Sequence, residues 1–212
     1  MARAITGLYV ITDARWPRSV ALEHAVDAAL RGGARVVQYR DKSDDACRRH
    51  QEAKTVASLC RARGATFIVN DDVDLAAAVA ADGVHLGRDD DDLAAARSAL
   101  GPEALIGVSC YNELDRARRA AAAGADYLAF GSVYPSATKP DAVHAPLTLF
   151  GEARRLTDRP LVAIGGINAD NIATVTAAGA DAVAVVDAVF AAPDIEQATA
   201  ALVARGFGPA PD

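Results

Sequence analysis

Gly124-Ala125-Asp126-Tyr127-Leu128-Ala129-Phe130-Gly131 runs from a helix-ending glycine straight into a short aliphatic stretch. The same joint recurs as Gly179-Ala180-Asp181 before Ala182-Val-Ala-Val-Val186, and as Gly33-Ala34 before Arg35-Val-Val-Gln-Tyr39. Asp82-Gly83 leads in the same way into Val84-His-Leu-Gly87. Glycine suits these places because a helix C-cap takes positive φ, which a Cβ disfavours. Four similar joints in one chain imply a repeated strand–helix unit.

Extending the pattern in both directions adds Leu8–Thr12, Thr66–Asn70, Leu105–Ser109 and Leu161–Gly165, for eight runs in all. Each is four or five residues of aliphatic or β-branched type, as expected of strands buried on both faces. The intervening segments are Ala-rich with helical periodicity, for example 46–63 and 113–123. Eight βα units without a break predict an α/β fold, a single-domain (βα)8 TIM barrel over residues 1–212. A doubly wound open sheet is the alternative, and no GxGxxG turn follows the first strand to favour it. The Pro/Gly-rich end, 206–212, reads as a frayed tail.

The 212 residues are few for such a barrel, but 51% are apolar and only 5% aromatic, so the core must be built mainly of Ala, Val, Leu and Ile. Net charge is −6, which argues against a nucleic acid as the main partner, since its phosphate backbone needs a clustered basic surface. Small phosphorylated ligands need only two or three local cations and stay compatible with it. Three cysteines, Cys47, Cys60 and Cys110, without a CxxC spacing argue against a disulfide framework or a zinc site. No signal-like N-terminus and no run of ~18 apolar residues is present, so the expectation is a cytoplasmic protein with no membrane partner. An Ala-rich helical exterior is compatible with a homo-oligomer, although no patch is defined by sequence.

In a barrel of this kind the strand C-termini line the active site. There the chain places Gln38-Tyr39-Arg40-Asp41-Lys42, Asn70-Asp71-Asp72, Arg88-Asp89-Asp90, Ser109, the segment Ser132 to Lys139, and Gly165-Gly166. Arg40, Lys42 and Lys139 supply three cations at one mouth, Arg able to fork onto phosphate and Lys acting as a point charge. Asp71 and Asp90 supply two carboxylates from adjacent strands. Cations beside carboxylates suit a polyphosphate bridged by Mg²⁺. Gly165-Gly166 lets backbone N–H groups approach an anion, though alone it reads equally well as a tight turn. The rest of the acidic run 89–92 reads as a solvated helix start. His24, His50, His85 and His144 are not clustered, and His85 in mid-strand reads as a packed residue. Cys110 lies beside the site, where a catalytic thiol would need a pKa-lowering partner that the sequence does not identify, and Trp16 reads as a cover for the rim.

Taken together, Gln38-Tyr-Arg-Asp-Lys42, Asn70-Asp71, Val84-His-Leu-Gly87 with Asp90, Gly107-Val-Ser109, Tyr134-Pro-Ser-Ala-Thr-Lys139 and Gly165-Gly-Ile167 resemble the thiamine-phosphate synthase family over nearly the whole chain. The resemblance implies a transferase of thiamine biosynthesis. It would join 4-amino-2-methyl-5-(diphosphomethyl)pyrimidine to a thiazole bearing a phosphoethyl arm, or its carboxylated form, by a dissociative substitution that releases pyrophosphate. It implies Mg²⁺ at Asp71 and Asp90. It places the pyrimidine diphosphate on Gln38, Tyr39, Arg40, Asp41, Lys42, Asn70, Ser109 and Lys139, with Arg40, Lys42, Ser109 and Lys139 acting on the leaving group. The thiazole phosphate falls to Ser136, Ala137, Thr138, Gly166, Val186 and Asp187. Ser136 stands where the family usually has Thr, and Asp187 stands where Ser is usual, setting a carboxylate against a phosphate. A thiazole tautomerase sharing the barrel, or a barrel that binds phosphorylated ligands without turnover, are the competing readings.

Overall fold

A computed structural model describes residues 5–13, 21–87, 93–135 and 143–208. Eight parallel strands close on themselves in sequence order, β8 pairing with β1. They are β1 (Gly7–Ile11), β2 (Val36–Tyr39), β3 (Thr66–Asn70), β4 (Gly83–Leu86), β5 (Leu105–Tyr111), β6 (Tyr127–Gly131), β7 (Leu161–Ile164) and β8 (Ala182–Val185). The helices around them are α1 (Leu22–Arg31), α2 (Ala46–Arg63), α3 (Val73–Ala78), α4 (Leu93–Leu100), α5 (Leu114–Ala122), α6 (Thr148–Arg154), α7 (Ile172–Ala177), α8 (Asp187–Phe190) and α9 (Ile195–Phe207). The (βα)8 barrel read from the sequence is therefore the fold, and strand ends shift by one residue or so. The exception is β5, which runs two residues past Ser109 with a register shift between Ser109 and Tyr111.

Strand alternation divides the core in two. Outward residues such as Leu8, Val37, Phe67, Leu128 and Val183 pack under the helices. Inward residues such as Tyr9, Val36, Ile68, Tyr127, Val162 and Ala182 fill the barrel. Leu128 and Ile68 are completely buried, and truncating either to Ala costs about 2–5 kcal/mol. Inward-facing Gly107 makes room for a neighbour, since a Cβ there would lie 2.0 Å from the ring of Tyr127. The missing side chain is the recess that holds this phenol.

The recurrent joints do more than end helices. Gly33, Gly124 and Gly179 hold the expected positive φ, at 101°, 93° and 106°. Where an aspartate opens the next strand, it accepts a hydrogen bond from an N–H at the start of the preceding strand. Asp126 takes Ile106 N at 2.8 Å and Asp181 takes Leu161 N at 2.7 Å. Asp82 does the same for Phe67 N at 2.8 Å. Arg97 adds an ion pair to Asp126 at 2.5 Å, and Arg154 pairs with Asp181. One joint departs from expectation. At Asp82-Gly83 the left-handed residue is Ala80, φ 51°. Gly83 is needed for close approach, since its Cβ would meet Leu105 O at 1.8 Å.

Helix starts use aspartate caps at α2, α3 and α9, where Asp45, Asp72 and Asp194 accept from Arg48 N, Leu75 N and Gln197 N. Asp72 thereby differs in role from its neighbour Asp71, which pairs with Lys42 instead of capping a helix. The segment 206–212, read from composition as a frayed tail, begins inside a helix. Gly206 and Phe207 belong to α9, where Phe207 packs against the outer core and Gly206 lies against Ile172. Residues 209–212 lie outside the described residues. No helix among those described is long and apolar enough to cross a membrane.

Candidate active site

The C-terminal ends of the strands surround a cavity of about 570 Å³. Its floor is polar although it lies inside the barrel. Gln38 Nε2 donates to Tyr9 Oη at 2.7 Å, and Tyr9 Oη lies 3.1 Å from Tyr127 Oη. Tyr127 Oη lies 3.1 Å from His85 Nδ1, and His85 Nε2 lies 2.9 Å from Ser109 Oγ. Five side chains from β1, β2, β4, β5 and β6 thus form one unbroken chain across the barrel. Burial pushes the pKa of both phenols well above the usual tyrosine range, so Tyr9 and Tyr127 remain protonated donors.

Charged groups stand above this floor. Asp71 takes a left-handed backbone, φ 62°, at the end of β3, and its N–H bonds His85 O at 2.8 Å. Its carboxylate accepts from Asn70 Nδ2 at 2.6 Å and pairs with Lys42 Nζ at 2.8 Å. Arg40 lines the cavity with its backbone N–H on Thr12 Oγ1 at 2.9 Å and its guanidinium 3.7 Å from Asp13. Arg116 of α5 braces the ends of β4 and β5 by donating to Gly87 O at 3.2 Å and Ser109 O at 2.6 Å. Its guanidinium also sits over the ring of Tyr111, 5.8 Å from the centroid.

On the opposite side, Gly165 and Gly166 carry φ values of 104° and 61°. A Cβ on Gly166 would meet Pro135 O at 2.3 Å, so the loops after β6 and β7 touch here through bare backbone. Val186 and Asp187 complete this side at the start of the single turn α8. The Asp187 side chain is at an exposed position.

The structure therefore brings Gln38, Arg40, Asn70, Ser109, Gly166, Val186 and Asp187 to one cavity, with Lys42 and Asp71 paired at its edge. Two expected members are elsewhere. Tyr39 follows Gln38 and so faces outward; its hydroxyl donates to Glu52 Oε2 of α2 at 2.8 Å. Asp41 turns back into the β2–α2 loop, accepting from Ser43 N at 2.8 Å and pairing with Arg48 at 2.6 Å. Its side chain is only 2% exposed, which removes it from a ligand's reach. Asp90, Ser136, Ala137, Thr138, Lys139 and Trp16 lie outside the described residues. His144 is exposed, and its carbonyl accepts from Asn112.

This arrangement has close relatives. The family model for thiamine monophosphate synthase matches residues 8–189. The chain belongs to the thiamine monophosphate synthase family. A thiamine-phosphate synthase of Halorhodospira halophila is 59% identical over 95% of this chain and 94% of its own length. One from Thioalkalivibrio sulfidiphilus is 58% identical over 91% of each chain. A solved thiamine phosphate pyrophosphorylase from Pyrococcus furiosus superposes with a TM-score of 0.83 at 40% identity, covering 93% of both chains.

Within this family frame, sequence reasoning missed Tyr9, Asp13, Tyr127 and the role of His85. Each sits in or beside an apolar run, where an aromatic or imidazole ring reads as core. The available signal was phase: Tyr9, Gln38, His85, Ser109 and Tyr127 all fall on the inward half of their strands. Their meeting depends on the register around the closed barrel, which no single segment contains. Among the described residues no group of three or more His, Cys, Asp or Glu side chains gathers as a metal cage.

Proposed function

We propose that this cavity performs the thiamine-phosphate synthase reaction of its family, coupling an aminopyrimidine diphosphate to a thiazole phosphate. The observation that carries the reading is the convergence of Gln38, Arg40, Asn70 and Ser109 on one cavity, with Lys42 and Asp71 at its edge. The reacting C–O bond to the diphosphate breaks with its electron pair leaving on pyrophosphate. The pyrimidine amino group shares the resulting positive charge, and the thiazole nitrogen lone pair forms the new C–N bond. The thiazole nitrogen is the nucleophile, so no side chain has to attack and no general base is needed.

The protein's work is then to position two ligands and neutralise one leaving group. Arg40 forks onto phosphate oxygens, while Lys42 and Lys139 add point charge. Asn70 and the Ser109 hydroxyl donate hydrogen bonds. Asp71 offers the hard carboxylate oxygen that Mg²⁺ prefers, and a site of one or two carboxylates finished by phosphate oxygens and water suits that ion. Asp71 and Asp90 would hold it, and when bound it would supply charge neutralisation on the diphosphate. Gly166, Val186 and Asp187, with Ser136, Ala137 and Thr138, receive the thiazole phosphate, as loops after the seventh and eighth strands commonly do. We place the reaction in the cytoplasm, in keeping with three free cysteines.

The test is direct. Purified protein given both substrates and Mg²⁺ is expected to release thiamine phosphate and pyrophosphate in equal amounts. Isomerisation of the carboxylated thiazole without coupling, or binding of the pyrimidine diphosphate with no consumption once the thiazole phosphate is added, would overturn the reading.

A further inference from the structure

The floor of the cavity holds a hydrogen-bond chain, Gln38–Tyr9–Tyr127–His85–Ser109, that the reaction described above does not fully use. With every phenol proton paired, such a chain runs in two directions, because each hydroxyl has one proton and a neutral imidazole has one, and an unpaired buried O–H is costly. In the first direction Gln38 donates to Tyr9, Tyr9 to Tyr127, Tyr127 to His85 Nδ1, and His85 Nε2–H to Ser109. The Gln38 carbonyl then remains as an acceptor at one end, and the Ser109 proton remains as a donor at the other. In the reverse direction every role inverts: the Gln38 amide presents its N–H groups, and Ser109 presents only lone pairs.

The two directions are not equivalent toward an aminopyrimidine diphosphate. Its exocyclic amino group needs an acceptor, and its departing diphosphate oxygens need donors. The first direction supplies both, and the reverse supplies neither. Among the described residues the Gln38 carbonyl oxygen has no protein partner, and Gln38 lines the cavity while 3% exposed. Tyr9 stands where the choice is made, because when its oxygen accepts from Gln38 its own proton is paired only by pointing to Tyr127. Tyr9 is itself buried, 1% exposed, in the wall of the cavity.

We propose that Tyr9 is a positioning residue that fixes the direction of this chain, orienting the Gln38 amide to select an aminopyrimidine and, through Tyr127 and His85, orienting the Ser109 hydroxyl toward the leaving diphosphate. The proposal rests on the synthase reading of the same cavity. Both phenols keep their protons over the working pH range, so the chain retains its donors. Left in the wrong direction, each end would face its ligand like against like, donor to donor and acceptor to lone pair.

The experiment compares kcat/KM for the aminopyrimidine diphosphate with that for an analogue carrying a ring carbonyl in place of the amino group. Tyr9→Phe is expected to reduce this preference about tenfold, because the amide is free to flip. On kcat, Tyr9→Phe and Ser109→Ala are expected to be non-additive, the first losing its effect once the Ser109 oxygen is gone. Tyr127→Phe, which cuts the chain at its centre, should show the same non-additivity with Ser109→Ala and serves if Tyr9→Phe does not fold. A merely structural role for Tyr9 would lower both pyrimidines equally and combine additively with Ser109→Ala; either result overturns the proposal. Failure of the wild-type protein to couple the two substrates would instead remove the synthase reading itself, so the two failures are distinguishable.

Discussion

Aspartates meet backbone N–H groups and cations at both ends of this barrel, with opposite outcomes. At the N-terminal end Asp126 and Asp181 each close on a strand N–H and an arginine. At the C-terminal end Asp71 is held by a lysine that is itself 60% exposed, over an open cavity. The first set completes bonds that the sheet leaves unmade, and so stabilises. The second keeps charge accessible to a ligand. The same residue type, on the same fold, is bound to the scaffold at one end and left available at the other.

The comparison can be broken most severely at the open end. Asp71→Ala and Lys139→Ala are each expected to reduce pyrophosphate release by about 10²–10³-fold, measured by coupled phosphate assay. Melting temperature should hardly move; a large drop would mean that Asp71 braces the scaffold as Asp126 does. At the closed end the expectation reverses. Asp126→Ala and Asp181→Ala should each cost about 1.5–3 kcal/mol by urea denaturation, since each strands a buried N–H and an arginine. That corresponds to roughly 2–4 °C in Tm per kcal/mol for a chain of this size. Their kcat should match that of the parent, and loss of turnover in a stable variant would dissolve the division of labour.

A smaller effect sharpens the open end. Asp187 is exposed and lines the same cavity as Gly166, and its charge would oppose a thiazole phosphate held there as proposed. Asp187→Ser is expected to lower KM for the thiazole phosphate about three- to tenfold with kcat little changed, the size set by a solvent-screened charge. An unchanged KM would mean that the carboxylate points away. The smallest effect concerns the interior between the ends. Tyr9, Tyr39 and Tyr127 have raised pKa values from burial, and Cys60 is pushed up to about 12. These groups stay protonated when folded but ionise when unfolded, so the unfolded chain binds fewer protons at alkaline pH. Their stabilisation is intact below about pH 8.5 and is lost progressively above it. Urea midpoints should therefore fall between about pH 8 and 10.5, and Tyr39→Phe should flatten part of that slope.

The barrel was legible because each strand is a self-contained apolar run and each joint has a glycine with a conformational reason. The charged rim was legible for a similar reason: Arg40, Lys42 and Asp71 follow strands at once. Tyr39 and Asp41 misled because adjacency in a motif is not adjacency in space. Alternation sends Tyr39 under α2, and the Asp41-x-Ser43 turn draws the carboxylate home. The phenol–imidazole floor was illegible because its bonds join residues 24 to 118 positions apart, and only the closed register makes them neighbours.

Gly107 shows how far one absent methyl group reaches. Because strand β5 leaves that space empty, the ring of Tyr127 lies back into it and its hydroxyl reaches both Tyr9 and His85. An alanine there would clash with that ring and force it aside, away from Tyr9 and His85, disconnecting strand β1 from strand β4. The chemistry at the top of the barrel is thus tuned from below by a side chain that does not exist.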